Sequence, residues 1–428
     1  MAPQAVSPPV SPARRWRRGV PVAPLVMAAV LASGQAVATD GPEWSGDASF
    51  GLWSTNRLLD DAGTQASARV NLGLSAHAPG GLRLTAGAWL VDSPERLDGR
   101  RRDAGIRELE LAAPRASCAP ALGRRLVLWG RADGINPTDR VSPVNHRRLT
   151  PRGADQRSGR DGLHLDCRPG AGRIQAHLLR GARLNEVPLP VPDGVDVVRA
   201  RDAGGLDVAL RYERLGSAMD WSLVAFDGRD PDPTLARPPS TAPMPQLALT
   251  STPMRMLGAD LARVAGRRVV RAEAAWVTPQ RPDHPATAHR RSHLTVVAGT
   301  EWLLADAATL SVQGFVRHLG RAAEASGFPL ADAAQRAQGL IANEVEDRQR
   351  GLALRYARPV AEHRGSVEVF AVWSLPRAER TLRGRYRHGL GHGVHLDAGF
   401  DLFGGPRDSY LGNLRPNSVA FVELGVEW

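Results

Sequence analysis

The sequence predicts an all-β chain: a transmembrane antiparallel β-barrel of about eighteen strands, sixteen to eighteen by the pattern, folded as one domain. Three observations predict it. Apolar and polar residues alternate with period two from end to end, as they must where one face of a strand meets lipid and the other a wet lumen. The connections alternate between tight turns and long loops. Beyond the N-terminal leader no uninterrupted apolar run approaches the ~20 residues of a membrane-spanning helix. A soluble chain of this length would divide into two or three domains joined by linkers, and no such division is visible.

The alternation is cleanest where charges recur on one face of a strand otherwise built from Leu, Val and Ala. Leu82, Leu84, Ala86, Ala88 and Leu90 alternate with Arg83, Thr85 and Gly87, and Leu206, Val208, Leu210 and Tyr212 with Asp207, Arg211 and Glu213. Leu294, Val296, Ala298, Trp302 and Leu304 alternate with His293, Thr295 and Glu301, and Leu396, Ala398, Phe400 and Leu402 with His395, Asp397 and Asp401. Such charges do not fit a dry sandwich core. Strands are expected near 47–57, 66–77, 82–91, 104–112, 122–130, 161–167, 172–180, 204–213, 218–227, 253–264, 267–277, 293–304, 307–318, 350–358, 365–374, 380–388, 393–403 and 418–428. The imperfect alternation from Met254 to Val264 is the pattern of a bulged strand.

Tight turns fall at Pro79-Gly80-Gly81, Arg168 to Ala171, Leu215-Gly216-Ser217, Ala265-Gly266, Ala305-Asp306 and Gly389 to His392. Between them lie the long segments 131–160, 181–203, 228–252, 278–292, 319–349 and 404–417, with 375–379 a short exception on the same side.

The N-terminus adds a compartment. Arg14, Arg15, Arg17 and Arg18 precede an apolar stretch from Val20 to Leu31 and a small-x-small site at Ala36-Val37-Ala38, the pattern of a cleaved secretory signal. Residues 1–38 are therefore expected to be removed, leaving 39–428 as the barrel domain. Trp16-Arg17-Arg18 occupies the place where a twin-arginine signal needs apolar residues, so export of an unfolded chain is expected. The formal charge of +11 falls to +7 once the four leader arginines are removed, and every basic side chain other than histidine is arginine. The chain shows no clustered basic helix or stacking-aromatic motif for nucleic acid. Aromatic residues make up only 5%, few for a barrel with two interfacial girdles. Trp53, Trp89, Trp129, Trp221, Trp276, Trp302 and Trp373, near strand ends or on apolar faces, are the candidate anchors.

The C-terminal strand puts Val422, Leu424, Val426 and Trp428 on one face and Glu423, Gly425 and Glu427 on the other. It resembles the closing strand of bacterial outer-membrane β-barrels, in which a terminal aromatic belongs to the signal read by the barrel-assembly machinery. The chain as a whole resembles eighteen-stranded porins and alginate-export-type barrels. That resemblance implies the outer membrane of a Gram-negative bacterium, both termini in the periplasm, contact with outer-membrane lipid and no cofactor.

The segment Trp129-Gly130-Arg131-Ala132-Asp133-Gly134-Ile135-Asn136-Pro137-Thr138-Asp139-Arg140, continuing through Arg147, Arg148, Arg152, Asp155, Gln156 and Arg157, follows the fifth expected strand. In position, length and polarity it resembles the third external loop of porins, which folds into the barrel and narrows it. Asp-Gly and Asn-Pro are turn formers and give the segment a defined path. From 131 to 160 it carries seven arginines against three aspartates. The candidate solute-binding residues are Arg131, Asp133, Asn136, Asp139, Arg140, Arg147, Arg148, Arg152, Asp155 and Arg157: guanidinium groups suited to carboxylate or phosphate, with acids to orient a dipolar solute. The bland alternative is that these charges pair with one another and pin the loop. Arg69, Arg83, Arg173, Arg211, Arg271, Arg317 and Arg355 are expected along the lumen wall.

No catalytic or metal site is expected. His146 beside Asn145, with Ser142 upstream, lacks the turn that exposes a nucleophile. His388 with His392 and His289 with His293 lack acidic or cysteine companions and fit solvent-exposed histidines better than zinc ligands. The first strand begins about ten residues after the leader, too few for the plug of an energised receptor. The expected function is passive or ligand-selective diffusion of small polar, preferentially anionic solutes. The alternatives are export of a secreted anionic polysaccharide and a non-conducting structural or surface-binding barrel; the pattern leaves oligomeric state open. Finally, Cys118, in the turn between the fourth and fifth strands, and Cys167, at the end of the sixth, are expected at the same periplasmic rim and in a disulfide.

Overall fold

The computed structural model describes residues 41–57, 63–93, 102–181, 183–187, 196–199, 204–236, 246–280, 288–324, 326–327, 329–360, 362 and 364–428. The expected leader, 1–38, lies outside the described residues.

Eighteen strands close into one antiparallel sheet. In chain order they are β1 (Glu43–Thr55), β2 (Thr64–Ala78), β3 (Leu82–Asp92), β4 (Arg102–Ala112), β5 (Cys118–Arg125), β6 (Arg160–Cys167), β7 (Gly172–Arg180), β9 (Leu206–Arg214), β10 (Met219–Arg229), β13 (Pro253–Ala265), β14 (Arg268–Pro279), β15 (His293–Leu303), β16 (Thr309–Leu319), β17 (Arg348–Val360), β18 (Gly365–Leu375), β19 (Glu379–Gly391), β20 (Val394–Gly404) and β21 (Val419–Glu427). Each barrel strand pairs with its barrel neighbours in chain order, and β21 pairs with β1 from Asp47↔Glu427 to Thr55↔Val419 to close the circle. Three short strands outside the barrel, β8 (Asp196–Arg199), β11 (Thr234–Ala236) and β12 (Gln246–Thr250), form a separate sheet.

The two faces invert the order of a soluble protein. Leu52, Leu72, Leu122, Leu163, Leu223, Leu257, Leu352 and Leu424 are exposed on the outside. Ser49, Arg69, Asn71, Glu110, Arg211, Asp260, Glu273, Gln313 and Glu423 are buried on the inside. An exposed apolar belt that wraps a closed sheet leaves no unpaired backbone edge, which is what a membrane-spanning sheet requires.

The long connections are more structured than their turn-rich sequences suggest. Helix α1 (Pro329–Ile341) lies in the connection between β16 and β17, and its buried Gln338 accepts from the Leu235 amide and donates to the Pro233 carbonyl, tying α1 to β11. A one-turn helix, α2 (Tyr410–Asn413), sits between β20 and β21 with the Ser409 hydroxyl as its cap. Together with β8, β11 and β12 they build a folded cap over the loop-side rim.

Three expectations need correction. The fifth strand was expected at 122–130 but spans Cys118–Arg125, so Cys118 opens a strand rather than lying in the turn before it. Trp53, Trp89 and Trp129 are buried on the lumen side and cannot anchor the barrel in lipid, whereas Trp276 and Trp373 are exposed outside. Finally, β13 pairs without interruption from Met254↔Pro279 to Ala265↔Arg268; register shifts fall instead at Gly87/Ala88 and Gly389/Gly391. One cause underlies the displaced strand, the buried Trp129 and the blurred β13: part of the lumen is dry. Val127, Trp129 and Val141 pack against Leu179, Ala209, Val224, Phe226, Met254, Met256, Ala275 and Val277 on the inner face of β7 to β14. The apolar residues after Arg125 therefore turn inward to a core instead of continuing a strand, and Met254 and Met256 supply apolar side chains where a wet lumen would call for polar ones.

Candidate solute pathway

The connection 126–159 enters the barrel directly after β5. The Leu126 amide donates to Glu108 Oε1 at 3.0 Å, the Val127 amide to the buried Ser142 hydroxyl at 2.8 Å, and Gly159 returns to the wall through the Arg107 carbonyl at 2.9 Å. Between those points the segment touches strands on opposite sides of the barrel. Its innermost anchor is Glu273 on β14, 2% exposed. That carboxylate accepts the amides of Arg131 at 2.9 Å, Ala132 at 3.2 Å and Thr138 at 2.8 Å, and the Thr138 hydroxyl at 2.8 Å. Convergent backbone N–H groups of this kind are a preformed anion site, filled here by the protein's own acid. Two glycines permit the approach. Gly130 has φ +95, and a Cβ on Gly258 of β13 would overlap the Thr138 methyl group. The tip, Gly134 at φ +84, lies against the Phe370 ring of β18.

The structure places each expected solute-binding residue as follows. Arg131 is ion-paired to Glu213, to Asp260 at 2.6 Å and to Asp220 at 3.5 Å. Asp133 faces Arg271 at 3.7 Å. The Asn136 carbonyl accepts the Asp139 amide, and the Asp139 carboxylate pairs with Arg157. Arg140 spans Asp230 at 3.2 Å and Asp232 at 3.1 Å. The Arg147 carbonyl accepts from Arg57 at 2.6 Å, and Arg148 lies 3.6 Å over the Trp89 ring. Arg152 joins Asp155 at 3.2 Å, Glu427 at 3.1 Å and Asp47. Asp155 also meets Arg107 at 3.1 Å and Arg69 at 3.8 Å. These residues are thus brought into one loop but not into one open cluster: most bind acids or arginines of the wall.

Burial sets the charge states. Burial pushes the Asp139 carboxyl up, with Arg157 opposing, and pulls the Arg148 guanidinium down to about 10. Burial raises Asp232 as well, but the charges of Arg140 and Arg290 outweigh it and hold that carboxyl at about 2. His146 is lowered by burial, so its imidazole is neutral at pH 7.

Opposite the loop tip runs a row of wall arginines, most of which the sequence reading did not single out. Arg271 and Arg355 flank Glu301 at 3.2 and 3.9 Å, and Arg355 also binds Glu368 at 2.6 Å. Arg383 and Arg385 share Asp401 at 2.7 and 2.8 Å, and Arg387 binds Asp397 at 2.7 Å. Arg383 keeps 44% of its side chain exposed. Arg317, expected on the wall, donates to the Asn343 carbonyl at 2.7 Å. The odd positions of β19, inward by parity with buried Glu379, were the available signal. A cavity of about 520 Å³ separates this wall from the loop on the cap side, lined by Asn136, Arg140, Arg317, Phe370 and Arg383. A second, of about 630 Å³, opens at the other rim beside Arg83, Arg115, Arg168 and Arg173.

Other expected groups fall into structural roles. Ser142 is engaged by Val127, as above. His293, expected at the surface, is buried with Nδ1 facing the Arg291 carbonyl at 3.2 Å. His164 and His177, not singled out in sequence, face each other with Nδ1 atoms 2.9 Å apart. Cys118 and Cys167 stand opposite in the β5–β6 register and form a disulfide, Cα atoms 4.0 Å apart, at the short-turn rim.

No protein-family profile matches the sequence, and no match is found among curated proteins. Solved structures do match, over 90% or more of the chain. OccAB1 of Acinetobacter baumannii superposes with a TM-score of 0.58 at 8% identity, covering 90% of this chain and 96% of its own. OccAB2 of the same organism gives 0.57 at 11%, covering 92% and 99%. The outer-membrane protein OpdK of Pseudomonas aeruginosa gives 0.54 at 12%, covering 90% and 99%. At such identities the likeness is one of fold, a closed β-barrel.

Proposed function

We propose that the chain is a porin-like channel of the Gram-negative outer membrane, for passive or ligand-selective diffusion of small polar, preferentially anionic solutes. The observation that carries this reading is the row of wall arginines Arg271, Arg355, Arg383, Arg385 and Arg387 beside the inward loop, in which Arg383 lines the open cavity while Arg271 meets Asp133 and Arg385 the Pro151 carbonyl of the loop. Guanidinium groups whose carboxylate partners are shared can exchange one N–H fork for a passing carboxylate or phosphate without leaving a charge bare. The loop arginines, fixed by Glu213, Asp260, Asp230 and Asp155, hold the constriction in shape. Of the residues expected to bind solute, Asp133 and Asn136 keep that role, and the others act by positioning. No enzymatic step is assigned to this lumen.

Assembly follows from the ends of the chain. Residues 1–38 are cleaved on export, and β21 presents Trp428 to the barrel-assembly machinery before it pairs with β1. In the closed barrel the Trp428 amide and carbonyl bond to Gly46, each at 3.0 Å. Planar-bilayer recording of the refolded protein tests the function. Expected are discrete channels whose reversal potential in a salt gradient reports anion preference; cation preference refutes the selectivity, and a silent, correctly folded barrel refutes the channel.

A further inference from the structure

Charge on the outside of the barrel is unevenly distributed along the loop-side edge. Elsewhere on this edge three outward arginines have an acid, Arg102 with Asp92 at 3.2 Å, Arg124 with Asp161 at 2.7 Å and Arg255 with Asp227 at 3.0 Å, and Arg180 on β7 is a single exposed arginine with none among the described residues. Over β16 to β19 the matching stops. His318 shares outward parity with Val316, Arg348 and Arg350 with Leu352 and Leu354, and Arg380 with Leu382; all four basic side chains are exposed. The register sets His318 opposite Arg348, Val316 opposite Arg350, and Trp373 opposite Arg380. Among the described residues none of Arg348, Arg350 and Arg380 has a carboxylate partner. The acids nearest in sequence are bound to other groups: Asp347, whose exposed carboxylate also feels the charges of His318 and Arg348, binds Arg291, Glu346 binds Arg377, and Glu379 points inward and accepts the Leu411 amide at 2.7 Å.

An arginine placed on a lipid-facing wall requires a counter-charge or water at its tip. At this height the surroundings are the headgroups of the outer leaflet. The guanidinium fork matches a phosphate in bidentate geometry, and tryptophan prefers the same depth. Neighbouring strands lie about 4.8 Å apart and the register offsets Arg380 on β19 by two residues from Arg350 on β17, so these two arginines are about 12 Å apart, within reach of two phosphates on one headgroup. Directly beneath, Val316, Leu352, Leu354 and Leu382 offer an apolar surface for acyl chains. We infer that the cap-side edge of β16 to β19, through Arg348, Arg350 and Arg380 with His318 and Trp373 beside them, is a binding site for a phosphorylated lipid headgroup of the outer leaflet. The inference rests on the outer-membrane location and not on what passes through the lumen.

The test uses the refolded full chain in a neutral detergent and native mass spectrometry. The probe is a diphosphorylated, multiply acylated glucosamine disaccharide, compared with its dephosphorylated form and with inorganic phosphate. Expected is retention of the phosphorylated lipid, at least tenfold weaker binding of the dephosphorylated one and none of inorganic phosphate at equal concentration. R348E/R350E/R380E should lose at least tenfold in affinity, and so should the milder R348Q/R350Q/R380Q variant, which guards against misfolding of the first. R255Q, across the barrel, should bind as the parent does. Equal binding of both lipid forms, or undiminished binding by the folded glutamine variant, overturns the proposal; saturation by inorganic phosphate makes the site one for free anions and overturns it equally. Because conductance is not the readout, failure here leaves the channel reading untouched, and a silent channel leaves this one untouched.

Discussion

At the scale of single residues, Glu273 decides where the loop sits. A buried carboxylate without hydrogen bonds is unstable, and backbone amides in a turn that cannot close on themselves are equally so; each satisfies the other. Glu273→Ala leaves three buried amide donors without an acceptor, at a cost of about 1–3 kcal/mol for each group left unsatisfied. The loop should then detach: melting temperature falls, single-channel conductance rises, and open-channel current becomes noisy. Glu273→Gln, which keeps one acceptor oxygen, should lie between. Conductance and noise unchanged in a folded alanine variant would show that the apolar packing of Val127 and Trp129 holds the loop alone. Asp232 gives a pH test of the second tie, to Arg140. Its folded value of about 2 lies below the ordinary 3.8, so its contribution is complete above about pH 4 and is lost as pH falls toward 2. Current noise should therefore stay flat from pH 7 to 4 and grow only below about pH 3. An onset near pH 6 would assign the gating to some other group, and Asp232→Asn should bring the acid behaviour to neutral pH.

At the scale of elements, the wall of β14 to β20 and the loop divide the work. Of the loop arginines, Arg131, Arg140 and Arg157 are held in ion pairs and keep 18%, 19% and 22% of their side chains exposed, whereas Arg355, Arg383 and Arg387 keep 31%, 44% and 33%. Substituting these three with Ala should move the reversal potential toward zero or beyond, while Arg407→Ala with Arg415→Ala, on the cap, should leave it nearly unchanged. A larger effect from the cap pair would place the filter at the mouth. Much of this was legible in sequence, since period two survives wherever one face meets lipid and the other meets water. Strands such as 172–180 and 365–375 need no tertiary information to be found. Legibility ends where the loop enters. There the inner face turns apolar, so Met254 and Met256 on β13 blur the alternation and Leu126 to Trp129 imitate a strand. The partners of the loop charges were equally hidden: Glu273 has the same alternating neighbours as any lumen residue, and only the folded turn of Gly130 brings amides to it. The short strands β8, β11 and β12 and helix α1 form because the cap packs on itself, a contact between loops distant in sequence that no local pattern announces.

At the scale of the whole molecule, selectivity depends on how far an uneven charge is felt. If the proposed leader with its four arginines is removed the formal charge falls from +11 to +7, and residues 131–160 contribute seven arginines against three aspartates. Yet Arg69, Arg173 and Arg211, expected along the lumen wall, are paired there with Glu423, Asp166 and Glu213. A lumen in which most positive charges have a partner within about 3 Å acts at a distance mainly through its surplus, and close up through individual guanidinium forks. The two contributions respond differently to salt. The screening length is about 10 Å at 0.1 M and about 3 Å at 1 M, so the long-range part should fade across that range and the short-range part persist. The expected result is an anion preference that declines steeply between 0.1 and 1 M of a simple chloride salt, about the concentrations where screening closes to the width of one side chain, and then levels off above unity. A preference that vanished entirely at high salt would mean the surplus charge acts alone, with Arg355, Arg383 and Arg387 making no contact with the permeating ion. A preference indifferent to salt would mean the reverse: solute is selected wholly by contact at the wall, and the net charge of the chain has no part in it.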